Sequence, residues 1–138
     1  MKRRIVIADD DATIIHLVSL RLGLASFDVL SAQCGPGALE LIQRSEPHAA
    51  ILDVGMPGGG LAALDAIKAD PRISNLPVMM LTGERNPDMV MNAMGSGASD
   101  YMVKPFDPER LLERVQRMVK SSIMVWDHIR PSSPVWEL

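Results

Sequence analysis

The stretch Ile5-Val6-Ile7-Ala8-Asp9-Asp10-Asp11 joins four apolar residues directly to three carboxylates. A short unbroken apolar run is the pattern of a strand buried on both faces, so these acids fall at a strand's carboxyl end. Working outward, Ala49-Ala50-Ile51-Leu52 ends in Asp53, Pro77 to Leu81 ends in Thr82, and Tyr101-Met102-Val103 ends in Lys104. In an open parallel α/β sheet such ends lie along one edge, where ligands bind. Acids, a hydroxyl and an ammonium are therefore expected to converge, and carboxylates this close repel one another unless positive charge sits among them.

Apolar runs alternate with segments of helical period throughout, which predicts a doubly wound parallel sheet with helices on both faces. Strands are expected near 3–8, 27–31, 49–53, 77–82 and 101–104, and helices near 12–24, 36–45, 60–68, 86–95 and 108–120. In the last helix Leu111, Leu112, Val115, Met118 and Val119 follow helical spacing, Pro108 suits the first turn and Asp107 suits the N-cap. Gly35-Pro36-Gly37, Pro57-Gly58-Gly59-Gly60, Asp70-Pro71 and Gly95-Ser96-Gly97 punctuate the connections. One domain is expected over 1–120. It is followed by a tail over 121–138, whose Pro131 to Pro134 oppose regular structure while Trp126 and Trp136 make it apolar. That tail reads as a linker stub or a loosely docked end, with a dimer anchor as the alternative.

The composition excludes several classes. At 138 residues a second folded domain does not fit, and ~68% of the unfolded surface can be buried at this size. A formal net charge of −3 gives no reason to expect direct binding of nucleic acid or an anionic membrane. The single Cys34 cannot form an internal disulfide, and no Cys/His spacing suits zinc. The four apolar residues after Met1-Lys2-Arg3-Arg4 are too few for a signal-peptide core or a membrane span, so a cytoplasmic location is expected.

Carboxylates from two strand ends suit a hard divalent cation. Mg²⁺ fits because it takes one or two carboxylates, keeps several waters and reserves a position for phosphate. Asp53 can then serve as nucleophile and form an aspartyl-phosphate. Phosphoryl transfer depends mainly on positioning and electrostatics, a part that Mg²⁺, Lys104 and the Thr82 hydroxyl can divide among the equatorial oxygens.

The order Asp9-Asp10, Asp53, Thr82, Lys104-Pro105-Phe106 strongly resembles the receiver domain of two-component response regulators, as do Asp53-Val54-Gly55-Met56-Pro57 and Gly97-Ala98-Ser99-Asp100-Tyr101. The resemblance spans roughly residues 3–120. It implies a flavodoxin-like sheet of five strands in the order 2-1-3-4-5. It also implies phosphoryl transfer to Asp53 from a sensor histidine kinase or phosphotransfer protein, with Asp9, Asp10, Asp53 and the Gly55 carbonyl around Mg²⁺. Thr82 and Tyr101 match the family's switch pair, which would remodel the surface of the fourth helix, fifth strand and fifth helix toward a downstream protein or a linked output domain. A receiver of this kind assists its own phosphorylation and dephosphorylation and is not a turnover enzyme. A homodimer stays open, although Arg110 stands where relatives that dimerise through this face often carry an acid. The turn Gly58-Gly59-Gly60 is one residue shorter than usual and is expected to be mobile. With Gly55 bare, control of water access to the phosphoryl group is expected to fall on Glu84.

Other residues carry plainer readings. Asp11 is expected to act only as a helix cap, Cys34 as a half-buried turn residue, and Met79 and Met80 as core filling. Met89, Met91 and Met94 are expected partly on the surface of the fourth helix, and His16, His48 and His128 have no assigned role. Competing functions are an aspartate-nucleophile phosphatase or phosphotransferase of the haloacid-dehalogenase type, a receiver-like module that signals without phosphate, and a nucleotide or flavin binder on the same fold. The first usually has an acid two positions beyond the nucleophile, where this chain has Gly55. The last would need a phosphate loop where Asp9-Asp10-Asp11 repels phosphate.

Overall fold

The computed structural model describes residues 2–83 and 87–129. Its elements run β1 (Arg4–Ala8), α1 (Ala12–Leu24), β2 (Asp28–Ala32), α2 (Gly35–Ser45), β3 (Ala49–Asp53), α3 (Gly60–Ala69), β4 (Val78–Thr82), α4 (Pro87–Gly95), β5 (Asp100–Val103) and α5 (Pro108–Ile129). All strand pairs are parallel and the sheet order is β2-β1-β3-β4-β5.

Burial on both faces explains the unbroken apolar runs. Ile5 and Ile7 face a core beneath α1 and α5 with Leu22, Ile51, Leu81, Leu111 and Val115. Val6 and Ala8 face the opposite core with Ile42, Leu52, Leu64, Ile67 and Met80. Met79 and Met80 are both buried, as expected, and fill one core each. A fully buried Leu or Ile is worth about 1.5–3 kcal/mol relative to an exposed one, so these two layers hold the helices to the sheet.

Short caps start the helices where the sequence places them. The Asp11 carboxylate accepts the Thr13 N–H at 2.9 Å, and the Asp107 carboxylate accepts the Glu109 N–H at 2.9 Å. Cys34 is half-buried and takes the same role at α2, where its Sγ accepts the Gly37 N–H at 3.4 Å.

One expectation changes. Helix α5 continues to Ile129 instead of ending at 120, because residues 121–129 contain neither Pro nor Gly and the first breaker, Pro131, lies beyond it. The turn Gly58-Gly59-Gly60 is tied down by backbone hydrogen bonds: Gly59 N–H to Met56 O at 2.9 Å, Gly60 N–H to Val54 O at 3.1 Å and Gly35 N–H to Pro57 O at 2.8 Å. Close approach is the reason for Gly58 and Gly60. A Cβ on Gly60 would run into the Asp53 carbonyl, and one on Gly58, at φ +83, would stand 2.6 Å from Pro36 Cδ. Glu84 and the apolar side chains of the tail, Trp126 and Trp136 among them, lie outside the described residues.

Gly60→Ala is therefore expected to cost about 1–3 kcal/mol in a denaturant titration, because the added methyl overlaps backbone that cannot step aside. Gly23→Ala, in the exposed part of α1 with nothing within 4 Å of the new methyl, should instead stabilise by about 0.5–1 kcal/mol.

Candidate functional site

The sheet register assembles the site. Ala8 pairs with Leu52, so the next residues along, Asp9 and Asp53, emerge side by side from neighbouring strands. Asp53 pairs with Leu81, which brings Thr82 to the same edge, and the Lys104 N–H bonds to the Thr82 carbonyl at 2.8 Å as β5 ends.

The Lys104 ammonium donates to Asp9 Oδ2 at 2.7 Å and to Asp53 Oδ1 at 3.2 Å. Asp9 is wholly buried, and its other oxygen accepts the Asp11 N–H at 2.9 Å. Asp53 is 6% exposed and Thr82 5%, whereas Asp10 lies open to solvent. One oxygen from each of Asp9, Asp10 and Asp53 falls within 4.8 Å of the other two, a spacing a single hard cation can bridge. Among the described residues three carboxylates face one ammonium, a net negative charge that a divalent ion would offset.

Burial pushes the Asp53 carboxyl above its usual value. The Lys104 hydrogen bond opposes this, the Asp9 charge adds to it, and the Gly55 backbone N–H draws it partly back. Burial alone would lower Lys104, but its hydrogen bonds to Asp9 and Asp53 outweigh that and hold the ammonium above its ordinary value. The lysine therefore stays charged throughout the neutral range.

Gly55 flanks the carboxylate on its Oδ2 side. A Cβ built there would lie 3.8 Å from Asp53 Oδ2, so the glycine sets no side chain against this oxygen. Tyr101 sits apart from the acids. It is half-buried and lines a groove of about 760 Å³ with Val90, Met91, Phe106, Arg110 and Arg114. Arg114 stiffens that groove through Asp100 Oδ1 at 3.2 Å and the Tyr101 carbonyl at 2.9 Å.

Two residues escaped the sequence reading. Gly60 buttresses the Asp53 backbone, and its only signal was membership in a glycine run. Met89 is half-buried, in keeping with its expected place partly on the surface, but its contact with Thr82, Sδ 3.9 Å from Oγ1, was not foreseen. No local pattern marks a contact between a strand end and the next helix.

Fold and site together define a doubly wound α/β domain with an acid cluster and a lysine at the carboxyl edge of its sheet. The family described as response regulator receiver domain matches residues 5–116. The chain is 36% identical over 118 residues to the DNA-binding dual master transcriptional regulator RpaA of Synechocystis sp., covering 85% of this chain and 49% of that protein. It is 32% identical over 121 residues to the DNA-binding response regulator MtrA of Mycobacterium tuberculosis, covering 87% of this chain and 52% of that one. Among solved structures, the chemotaxis response regulator CheY4 of Vibrio cholerae matches with a TM-score of 0.80 at 32% identity, over 86% of this chain and 99% of that one. NtrX from Brucella abortus matches with a TM-score of 0.84 at 29% identity, over 96% of this chain and 31% of that one.

The chain belongs to the response regulator receiver family of two-component systems, whose members are regulators and not turnover enzymes. It spans about half the length of the curated relatives it matches. Among the described residues no helix is long and apolar enough to cross a membrane.

The raised Asp53 carboxyl gives a pH dependence of definite sign. The unfolded chain ionises this group at lower pH than the folded one, so its ionisation costs stability once the pH passes above the ordinary carboxylate value. In metal-free buffer, Asp53→Asn should melt at higher temperature than the wild type at pH 7, with the difference closing as pH falls to about 4. An equal or lower melting temperature for Asp53→Asn at pH 7 would show that the buried charge carries no net cost.

Proposed function

We propose that this chain is a phosphorylation-controlled switch in which Asp53 accepts a phosphoryl group from the phosphohistidine of a sensor histidine kinase or phosphotransfer protein. One observation carries the reading: Lys104 engages Asp53 Oδ1, while Gly55 puts no side chain beside Oδ2. The oxygen that the lysine does not hold is the one that attacks phosphorus, the P–N bond breaking with its electron pair leaving on the imidazole.

Asp9, Asp10 and Asp53, with the Gly55 carbonyl, would hold Mg²⁺, which supplies positive charge against the phosphoryl oxygens. Lys104 neutralises a further oxygen, and the Thr82 hydroxyl turns from α4 to donate to another. Tyr101 then follows, and the groove between α4, β5 and α5 changes shape for a downstream protein or a linked output domain. The DNA-binding relatives support an output domain that touches DNA, with no direct nucleic-acid contact by the receiver itself. Residues 1–120 form the switch and 121–138 a tail or linker, in a cytoplasmic protein.

Incubation with a small phosphodonor and Mg²⁺ should add one phosphoryl group by intact mass, and Asp53→Asn or chelation should abolish the gain. Without donor, Mg²⁺ should raise the melting temperature of the wild type and do so less in Asp10→Asn, because binding to the folded state alone stabilises it. Loss of phosphoryl addition only from Lys104→Ala, and not from Asp53→Asn, would move the acceptor elsewhere.

Gly55→Leu should slow the decay of phospho-Asp53 severalfold, on the order of tenfold at most, because its side chain would crowd the phosphoryl group and obstruct water approaching phosphorus. The decay of the phosphorylated mass after donor removal measures this.

A further inference from the structure

The Thr82 hydroxyl points toward α4, with Oγ1 3.9 Å from Met89 Sδ. We propose that Met89 is a positioning residue whose thioether is a resting seat for the Thr82 hydroxyl, so that it sets how readily the site switches. This rests on the reading of Thr82 as a group that turns to the phosphoryl oxygens.

The chemistry of the contact suits such a seat. A thioether sulfur is a weak acceptor, so it favours one rotamer of the hydroxyl without trapping it. Asp53 and Thr82 sit on neighbouring strand ends, whereas Met89 lies across the β4–α4 connection. A hydroxyl that leaves Met89 for the phosphoryl group therefore moves from a helix contact to a strand contact. That exchange is a physical link between the acid cluster and α4.

The mounting of α4 gives so weak a contact leverage. Among its described side chains only Ala93 is buried. Met89 and Val90 are half-buried, Met91 is 72% exposed and Met94 is 44% exposed. An element with few buried apolar contacts shifts at small cost in free energy. One contact worth a typical weak hydrogen bond changes a two-state population about two- to fivefold. The plainer role for Met89 is gap filling, for which Leu would serve equally well.

Two substitutions of similar volume separate these roles. Met89→Leu removes the acceptor, and Met89→Gln supplies a stronger one. The readout is the rate at which intact mass gains a phosphoryl group from a small phosphodonor with Mg²⁺. Each substitution is measured with Thr82 present and in a Thr82→Val background, with melting temperatures as the control for folding. Met89→Leu should speed phosphorylation about two- to fivefold and Met89→Gln should slow it by a similar factor, both effects disappearing in the Thr82→Val background. Rates equal to wild type, shifts of the same sign for Leu and Gln, or effects that persist without the hydroxyl would each overturn the role of Met89 while the acceptor chemistry of Asp53 stands. Failure of the wild type to gain a phosphoryl group would overturn both.

Discussion

The Lys104 ammonium holds the carboxyl edge of the sheet together. It comes from the end of β5 and reaches past β4 to carboxylates on β3 and β1. Asp9 is wholly buried, and a buried carboxylate without a partner costs several kcal/mol, so this charge is tolerable only because the lysine is there. Hydrogen bonds to both acids offset the lysine's own burial. Among the described residues the arrangement is short of positive charge, with Asp10 open to solvent beside it. That imbalance favours a hard cation at this edge.

Much of this was legible because parallel sheets write their topology plainly. Each of the five strands lies within a residue or so of its expected span; in β1, β3 and β4 burial on two faces leaves little choice but β-branched, aliphatic and small residues, whereas the edge strands β2 and β5 are mostly half-buried. Asp9, Asp53, Thr82 and Lys104 were legible as a group because each ends an apolar run, and strand ends share an edge whatever their separation in sequence. The receiver resemblance added the strand order, which the family match and the observed sheet bear out.

What the sequence did not reveal lies in contacts without a period. The fit of Gly60 on the Asp53 carbonyl depends on how β3 enters α3, and glycine in a run reads the same whether it supplies freedom or close approach. Met89 looked like its exposed neighbours Met91 and Met94, because one turn of a short helix gives too few positions to set its phase. The length of α5 was missed for a different reason: the Pro-Ser cluster from Pro131 onward was allowed to colour the residues before it, although proline constrains little beyond its immediate predecessor.

The stitching of the β2–α2 and β3–α3 connections has a mechanical consequence. Gly35 bonds to Pro57 and the Gly58 turn presses on Pro36, so the flank of the pocket beside α2 is braced backbone against backbone. On the opposite flank, among the described side chains of α4, only Ala93 is buried, with Met89 and Val90 half-buried. The pocket thus has one flank joined by backbone hydrogen bonds and one held by few buried side chains, so the stiffness around Asp53 is uneven from one side to the other.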